Sequence, residues 1–253
     1  MFPTTSIDPA RMTQACMFQG IDGYRGGWVA VRAAQPDWQE CSIHHSSKLL
    51  DLVGGFQGVT AIDMPIGLPD MAGFGGRSCD RAVRQHLGDR QSSVFSVPAR
   101  KAIYQSDYKT ACRIALQYSE PPRKISKQAY YLFPKIRELD ALLPLPQGSI
   151  HEAHPEFSFV HMHDGLPLDL PKKVKGQPNP AGLAYRRKLL MDAGIPAALL
   201  AKLDELPKYI GLDDRIDAAA MAWTARRIYL GQAVMLPATA PCDARGLSMV
   251  IAG

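Results

Sequence analysis

Phe18-Gln19-Gly20-Ile21-Asp22-Gly23-Tyr24-Arg25-Gly26-Gly27-Trp28-Val29-Ala30-Val31 is the stretch on which the reading of the fold turns. Met17, Phe18 and Ile21 make one apolar run and Trp28 to Val31 another, so it reads as two strands. Between them Gly23, Gly26 and Gly27 supply the backbone freedom of a hairpin connection. Asp22 closes the first run. An apolar approach of this kind leads a strand into the middle of a sheet. A carboxylate there is costly unless it is solvated, hydrogen-bonded or holding a cation. Asp also caps turns through its own side chain, and taken alone Asp22 reads more simply that way.

The chain downstream changes that balance. Cys41 to His44 reads as a third strand after the turn-prone Gln35-Pro36-Asp37, and Ser47 can cap a short helix, Lys48 to Val53, ended by Gly54-Gly55. Gly58 to Asp63 is another apolar strand ending in an aspartate, and Met64-Pro65-Ile66-Gly67-Leu68-Pro69 then stops regular structure. A three-strand meander, a crossover helix and a fourth strand make the fourth parallel to the first. Asp22 and Asp63 then share one edge of the sheet, the edge where open α/β sheets bind ligands.

From about residue 70 to 147 the pattern turns helical and reads as an insertion between two strands. Ser78 can cap a helix running to Leu87, and Tyr108 to Tyr118 and Ser126 to Leu143 are further helices, the last started or kinked by Pro134. The loop Gly88 to Arg100 is rich in hydroxyls and carries Arg90, Ser92 and Ser93 before Arg100. Ser149 to Ala153 is a candidate fifth strand, broken by His154-Pro155-Glu156. Lys172, Lys173 and Lys175 among prolines read as a basic, turn-rich linker, followed by short helices at Tyr185 to Met191 and Pro196 to Leu203.

Leu212 to Leu230 is the clearest helix. Asp213 can cap it, Ile216, Ala219, Ala220, Trp223 and Leu230 form its apolar stripe, and Gly231 ends it. Asp214 and Asp217 are three apart and project to one side, close to the positive end of the helix dipole. Dipole complementarity accounts for Asp213; Asp217, beside the apolar stripe, is less easily explained by solvation.

Composition bounds the rest. The 253 residues are 46% hydrophobic and 21% charged, as in ordinary globular proteins. They divide into a loose tail at 1–15 and one α/β domain at 16–253. A net charge of +5 and a pI near 8.9 permit a polyanionic partner without arguing for one, and count slightly against a tight grip on long nucleic acid. Five scattered cysteines without C-x-x-C spacing suggest reduced thiols and a cytoplasmic setting. No apolar run reaches the ~18–20 residues of a membrane span. His151, His154, His161 and His163 crowd together, but alternation of strand faces and the lack of a nearby cysteine argue against zinc. Neither a phosphate loop nor a G-x-S-x-G elbow is present.

The set of motifs built on Asp22-Gly23, Ala61-Ile62-Asp63-Met64-Pro65-Ile66-Gly67-Leu68-Pro69, Arg90-Gln91-Ser92-Ser93-Val94-Phe95, Ser126-Lys127-Gln128, Pro134-Lys135-Ile136-Arg137, His154-Pro155-Glu156 and Asp213-Asp214-Arg215-Ile216-Asp217-Ala218 resembles the domain of unknown function 429 family. That family is described as predicted RNase H-like nucleases. The resemblance runs from about Phe18 to Gly253. It implies an RNase H-like mixed five-stranded sheet flanked by helices, with the helical insertion after the fourth strand. It also implies a site made by one acid on the first strand, one ending the fourth, and one or two on the last helix, which are Asp22, Asp63, Asp214 and Asp217 here. Glu152 is a further candidate on the fifth strand, which is expected beside the first. Converging carboxylates repel, and oxygen-only ligands favour Mg²⁺ or Mn²⁺. Two such ions ~3.5–4 Å apart would serve phosphodiester hydrolysis, Asp22 bridging them. Arg90, Ser92, Ser93, Arg100, Lys127 and Lys135 are the expected contacts to a DNA or RNA substrate. A non-catalytic nucleic-acid-binding protein and a small-molecule phosphohydrolase or phosphotransferase on the same fold remain alternatives. The oligomeric state stays open.

Overall fold

The computed structural model describes residues 17–34, 37–145 and 149–253. The expected N-terminal tail, Gln35-Pro36 of the turn, and the last residues of the insertion lie outside them.

β1 (Met17–Tyr24) and β2 (Gly27–Ala34) pair antiparallel from Met17 opposite Ala34 to Tyr24 opposite Gly27. The hairpin is therefore tighter than the glycine spacing suggests. Arg25-Gly26 alone make the turn, and Asp22 lies inside the strand, opposite Val29. β3 (Gln39–Ser46) completes the meander and is longer than its apolar run. α1 (Leu50–Val53) begins after Leu49 without a side-chain cap, so Ser47 does not cap it. β4 (Gly58–Ile62) pairs parallel with β1.

The insertion follows β4. Its two-residue strands β5 (Ala72–Gly73) and β6 (Ser119–Glu120) pair with each other. Around them lie α2 (Ser78–Arg84), a 3-10 turn (Gly88–Ser93), α3 (Arg100–Ile103), α4 (Tyr108–Gln117) and α5 (Lys127–Leu142). Pro134 is accommodated within α5. Then β7 (Ser149–Glu152) joins the main sheet parallel to β4, giving the order β3-β2-β1-β4-β7. This is the mixed five-stranded sheet that the resemblance implied, but the fifth strand lies beside β4 and not beside β1, whose two edges are already taken by β2 and β4.

His154-Pro155-Glu156 follows the end of β7 at Glu152, as the strand break expected of it. It starts α6 (Pro155–Met162), with proline at the first helical position, where its missing N–H is not needed. The basic linker forms a small hairpin, β8 (Lys173–Val174) with β9 (Gln177–Pro178). α7 (Pro180–Asp192), α8 (Ala197–Asp204) and α9 (Leu212–Tyr229) follow, and β10 (Met235–Leu236) pairs with β11 (Ile251–Ala252) near the C-terminus. No helix among the described residues is long and apolar enough to cross a membrane.

Both faces of the sheet are covered, which is why the strands read as continuous apolar runs. Val29, Val31 and Ala33 pack with Phe18, Ala61 and the alanines of α9 on one face. Trp28 and Ala30 join Ile21, Ile62, Phe133 and Ile136 on the other, under the insertion. The closest approach is at Gly20, where an added Cβ would stand 1.8 Å from the Ala222 nitrogen and 2.3 Å from the Met221 carbonyl carbon. Only a residue without a side chain lets α9 lie this close to β1.

Candidate metal centre

Strand alternation decides which acids meet. Gly20 faces α9, so Asp22, two residues on, faces it too. In β4 Ala61 lies in the α9-side core, so Asp63 continues that face, its N–H bonded to Ile21 O at 3.0 Å. Two residues of strand advance ~6.6 Å and one helical turn ~5.4 Å. Asp217, one turn before Met221, therefore comes opposite Asp22. Asp22, Asp63 and Asp217 each offer an oxygen within 4.8 Å of the others, the group able to hold a cation among the described residues.

The environment is hostile to three unscreened charges. Burial, then the charges of Asp63, Asp217 and Asp214, push the Asp22 carboxyl well above the usual range. Burial, opposed by the Lys172 ammonium and aided by Asp217, pushes Asp63 up to about 7. Burial with the charges of Asp213 and Asp217 does the same to Asp214, also to about 7. Burial raises Asp217 even against Lys172. The Oδ1 atom of Asp217, a residue only 2% exposed, is buried with no hydrogen-bond partner. An orphaned carboxylate oxygen beside two further carboxylates fits a hard divalent cation with oxygen ligands.

The four acids differ in what else they do. Asp22 accepts a hydrogen bond from Gly23 N at 2.7 Å. Asp214 lies outside the group of three because its carboxylate caps α9, accepting from Gly211 N at 3.2 Å. The N-cap is therefore Gly211 rather than Asp213, whose carboxylate instead pairs with Lys173 at 2.5 Å. Lys172 reaches into the cluster and ion-pairs with Asp217 Oδ2. Position in a proline-rich basic run gave no hint of this, because the partner lies 45 residues away.

Glu152 lines the same acid-lined cavity, of about 320 Å³, but its oxygens are engaged. It accepts from Arg77 Nη1 at 2.8 Å, Arg77 Nη2 at 2.5 Å and Ile66 N at 2.7 Å. Arg77 is buried, and it also binds Asp80 and the carbonyls of Ile66 and Gly67. It is the N-cap residue of α2, where Ser78 was expected. Its fork thus fixes the Met64-Pro65-Ile66-Gly67 loop that begins directly after Asp63. Arg77→Ala leaves two buried carboxylates unpaired and is expected to lower stability by about 3–5 kcal/mol, measured by urea unfolding. Arg77→Lys keeps the charge without the fork and should recover only part of that loss. A midpoint unchanged in Arg77→Ala would show that the network does not hold the loop.

The expected substrate contacts separate into two groups. Ser93 lines the acid-lined cavity, and Ser92 and Ser93 line a second one of about 380 Å³ that also meets Arg123 and Lys124. Ser93, Phe95 and Gln128 belong to both, so the cavities share a wall. Arg123 and Lys124 lay outside the motifs and drew no attention in the sequence. Arg90 is half-buried in the 3-10 turn and Lys127 is exposed in the first turn of α5; neither lines either of these two cavities. Arg100 is engaged by Asp140 and Asp243, and Lys135 donates to Gly27 O at 2.5 Å while lying 4.2 Å over the Trp28 ring. Of the four histidines, His154 lines the acid-lined cavity and burial lowers it to about 4, so it is neutral at ordinary pH. His163 pairs with the Tyr185 hydroxyl at 2.9 Å and His161 packs on Phe157 at 4.7 Å. Glu156 accepts from Nε and Nη2 of the fully buried Arg186, which ties α6 to α7.

A family model described as Protein of unknown function (DUF429) matches residues 20–241, which include every acid of the cluster. No curated protein and no solved structure matches the chain.

Proposed function

The chain belongs to the DUF429 family, and from that membership and its buried acid cluster we propose that it is a divalent-metal-dependent phosphodiester hydrolase, acting as a nuclease on DNA or RNA. The single observation that carries this reading is the unpartnered, buried Asp217 Oδ1 within a group of three carboxylates at one sheet edge. Asp22, Asp63 and Asp217 would hold the ion. A bound Mg²⁺ or Mn²⁺ supplies Lewis acidity toward water and phosphoryl oxygens.

The chain's own residues do the rest. The Gly23 N–H and the Lys172 ammonium fix one oxygen each of Asp22 and Asp217, so the other oxygen of each is aimed without needing to reorder. The neighbouring cavity, with its serines, Arg123 and Lys124, supports a phosphate-bearing substrate that extends past the acids. Phe95 in the shared wall offers a face for stacking a base.

The test is a panel of single- and double-stranded DNA, RNA and bis(p-nitrophenyl) phosphate with Mg²⁺ or Mn²⁺, against an EDTA control. Metal-dependent hydrolysis of one or more is expected; no metal-dependent hydrolysis of any overturns the proposal, and salt-sensitive binding without cleavage would favour the non-catalytic reading. A pH dependence follows. Metal ligands must be deprotonated, and Asp63 is pushed up to about 7 without an ion. Mn²⁺ affinity is therefore expected to fall as pH drops from 8 to 6, with proton release on binding, measured by calorimetry in buffers of different ionisation heat. An affinity flat across that range would contradict the raised carboxyls.

A further inference from the structure

The acid cluster already contains a cation of its own. Lys172, just before β8, sends its ammonium to Asp217 Oδ2; its side chain is 26% exposed whereas that of Asp217 is 2% exposed. Lys172 also lines the acid-lined cavity, as do Asp213 and Asp214. Its backbone is anchored, the carbonyl accepting from Asn179 N at 2.9 Å across the β8–β9 hairpin. This is a built-in charge on a fixed arm.

The remaining oxygens suit one ion. Asp22 Oδ1 is taken by Gly23 N and Asp217 Oδ2 by Lys172, which leaves Asp22 Oδ2, Asp217 Oδ1 and the Asp63 carboxylate. Ligand oxygens on one octahedral Mg²⁺ at ~2.1 Å stand ~3–4.2 Å apart, and each of the three acids offers an oxygen within 4.8 Å of the others. A second ion on the Asp217 side would compete with Lys172 for the oxygen it occupies.

We propose that the centre takes one divalent ion, and that Lys172 supplies the second positive charge on the Asp217 side. This rests on the metal-dependent reading above. Lys172 is then the positioning residue that orients Asp217 and sets the metal count.

The test is a count of bound ions on the metal-stripped full chain, titrated with Mn²⁺ at pH 8. Free Mn²⁺ is read by its electron paramagnetic resonance signal and the stoichiometry checked by calorimetry. One Mn²⁺ per chain is expected for the native protein and for Lys172→Arg, and two for Lys172→Met. Two ions on the native protein, or one on Lys172→Met with unchanged affinity, overturns the proposal while leaving the metal-dependent reading standing. No ion bound by the native protein removes both. The native count needs no variant, so a Lys172→Met chain that does not fold does not shield the proposal.

Discussion

Asp22→Asn and Asp217→Asn are each expected to abolish metal-dependent phosphodiester cleavage, a loss of at least ~10²-fold in kcat/KM. Removing even an outer partner of a metal site typically costs 10–100-fold, and these residues are proposed as direct ligands. Asn keeps the shape and loses the charge, so the fold stays intact. The metal-free Asp22→Asn chain should in fact be no less stable than the native chain, whereas Asp217→Asn also takes away the ion-pair partner of Lys172. The sign follows from the raised carboxyls. With Asp63 at about 7, the native state binds more protons than the unfolded chain between about pH 4 and 7. Stability of the metal-free protein therefore drops as pH rises through that window, and replacing any acid of the cluster relieves the repulsion. Asp214→Asn is expected to lose less activity than the other two, because an Asn oxygen can still accept from Gly211 N. The measurements are steady-state cleavage with Mn²⁺ and thermal unfolding at pH 8 with EDTA. Equal activity in the native chain and in both principal variants would move the chemistry elsewhere.

Gly20→Ala is expected to cause the largest loss of stability of any single methyl added to the chain, about 3 kcal/mol or more. The new Cβ would lie 1.8 Å from one backbone atom of α9 and 2.4 Å from another, the Ala218 oxygen, and neither is the tip of a flexible side chain. The helix must move off β1. Because Asp22 and Asp217 lie two residues and one turn from that contact, their separation changes with it. Mn²⁺ affinity should accordingly fall in Gly20→Ala even under conditions where the protein remains folded. Gly231→Ala is the control: its φ of +67° is mildly strained, but nothing lies within 4 Å of the added carbon. Its cost should stay near ~1 kcal/mol with Mn²⁺ binding unchanged. A Gly20→Ala chain with the native urea midpoint would mean that α9 does not seat on β1 at this point.

Much of this architecture was legible without coordinates. Apolar runs, glycine punctuation and a crossover helix between the third and fourth strands sufficed to set the fourth parallel to the first and to send Asp22 and Asp63 to one edge. The three-residue step from Asp214 to Asp217 likewise turned them to one side of α9. These are local rules, and the sequence states them locally. It misled where a residue had both a local and a distant use. Asp213 looked like the cap of α9, yet it pairs with Lys173 while Asp214 does the capping. His154-Pro155-Glu156 does end the fifth strand as expected, but it also starts a helix, which was not expected.

What only the tertiary structure decided is the pairing of charges. Arg77 and Glu152 are 75 residues apart, Lys172 and Asp217 are 45 apart, and Arg100 finds Asp243 across 143. A buried charge takes whichever opposite charge the packing brings within reach, since the alternative is an uncompensated desolvation. That choice depends on distances through space, and no spacing along the chain encodes it. The sequence by itself therefore sent Asp22 and Asp63 to one edge; the folded chain determined that Asp217, and neither Asp214 nor Glu152, joins them, and that a lysine converges with all three.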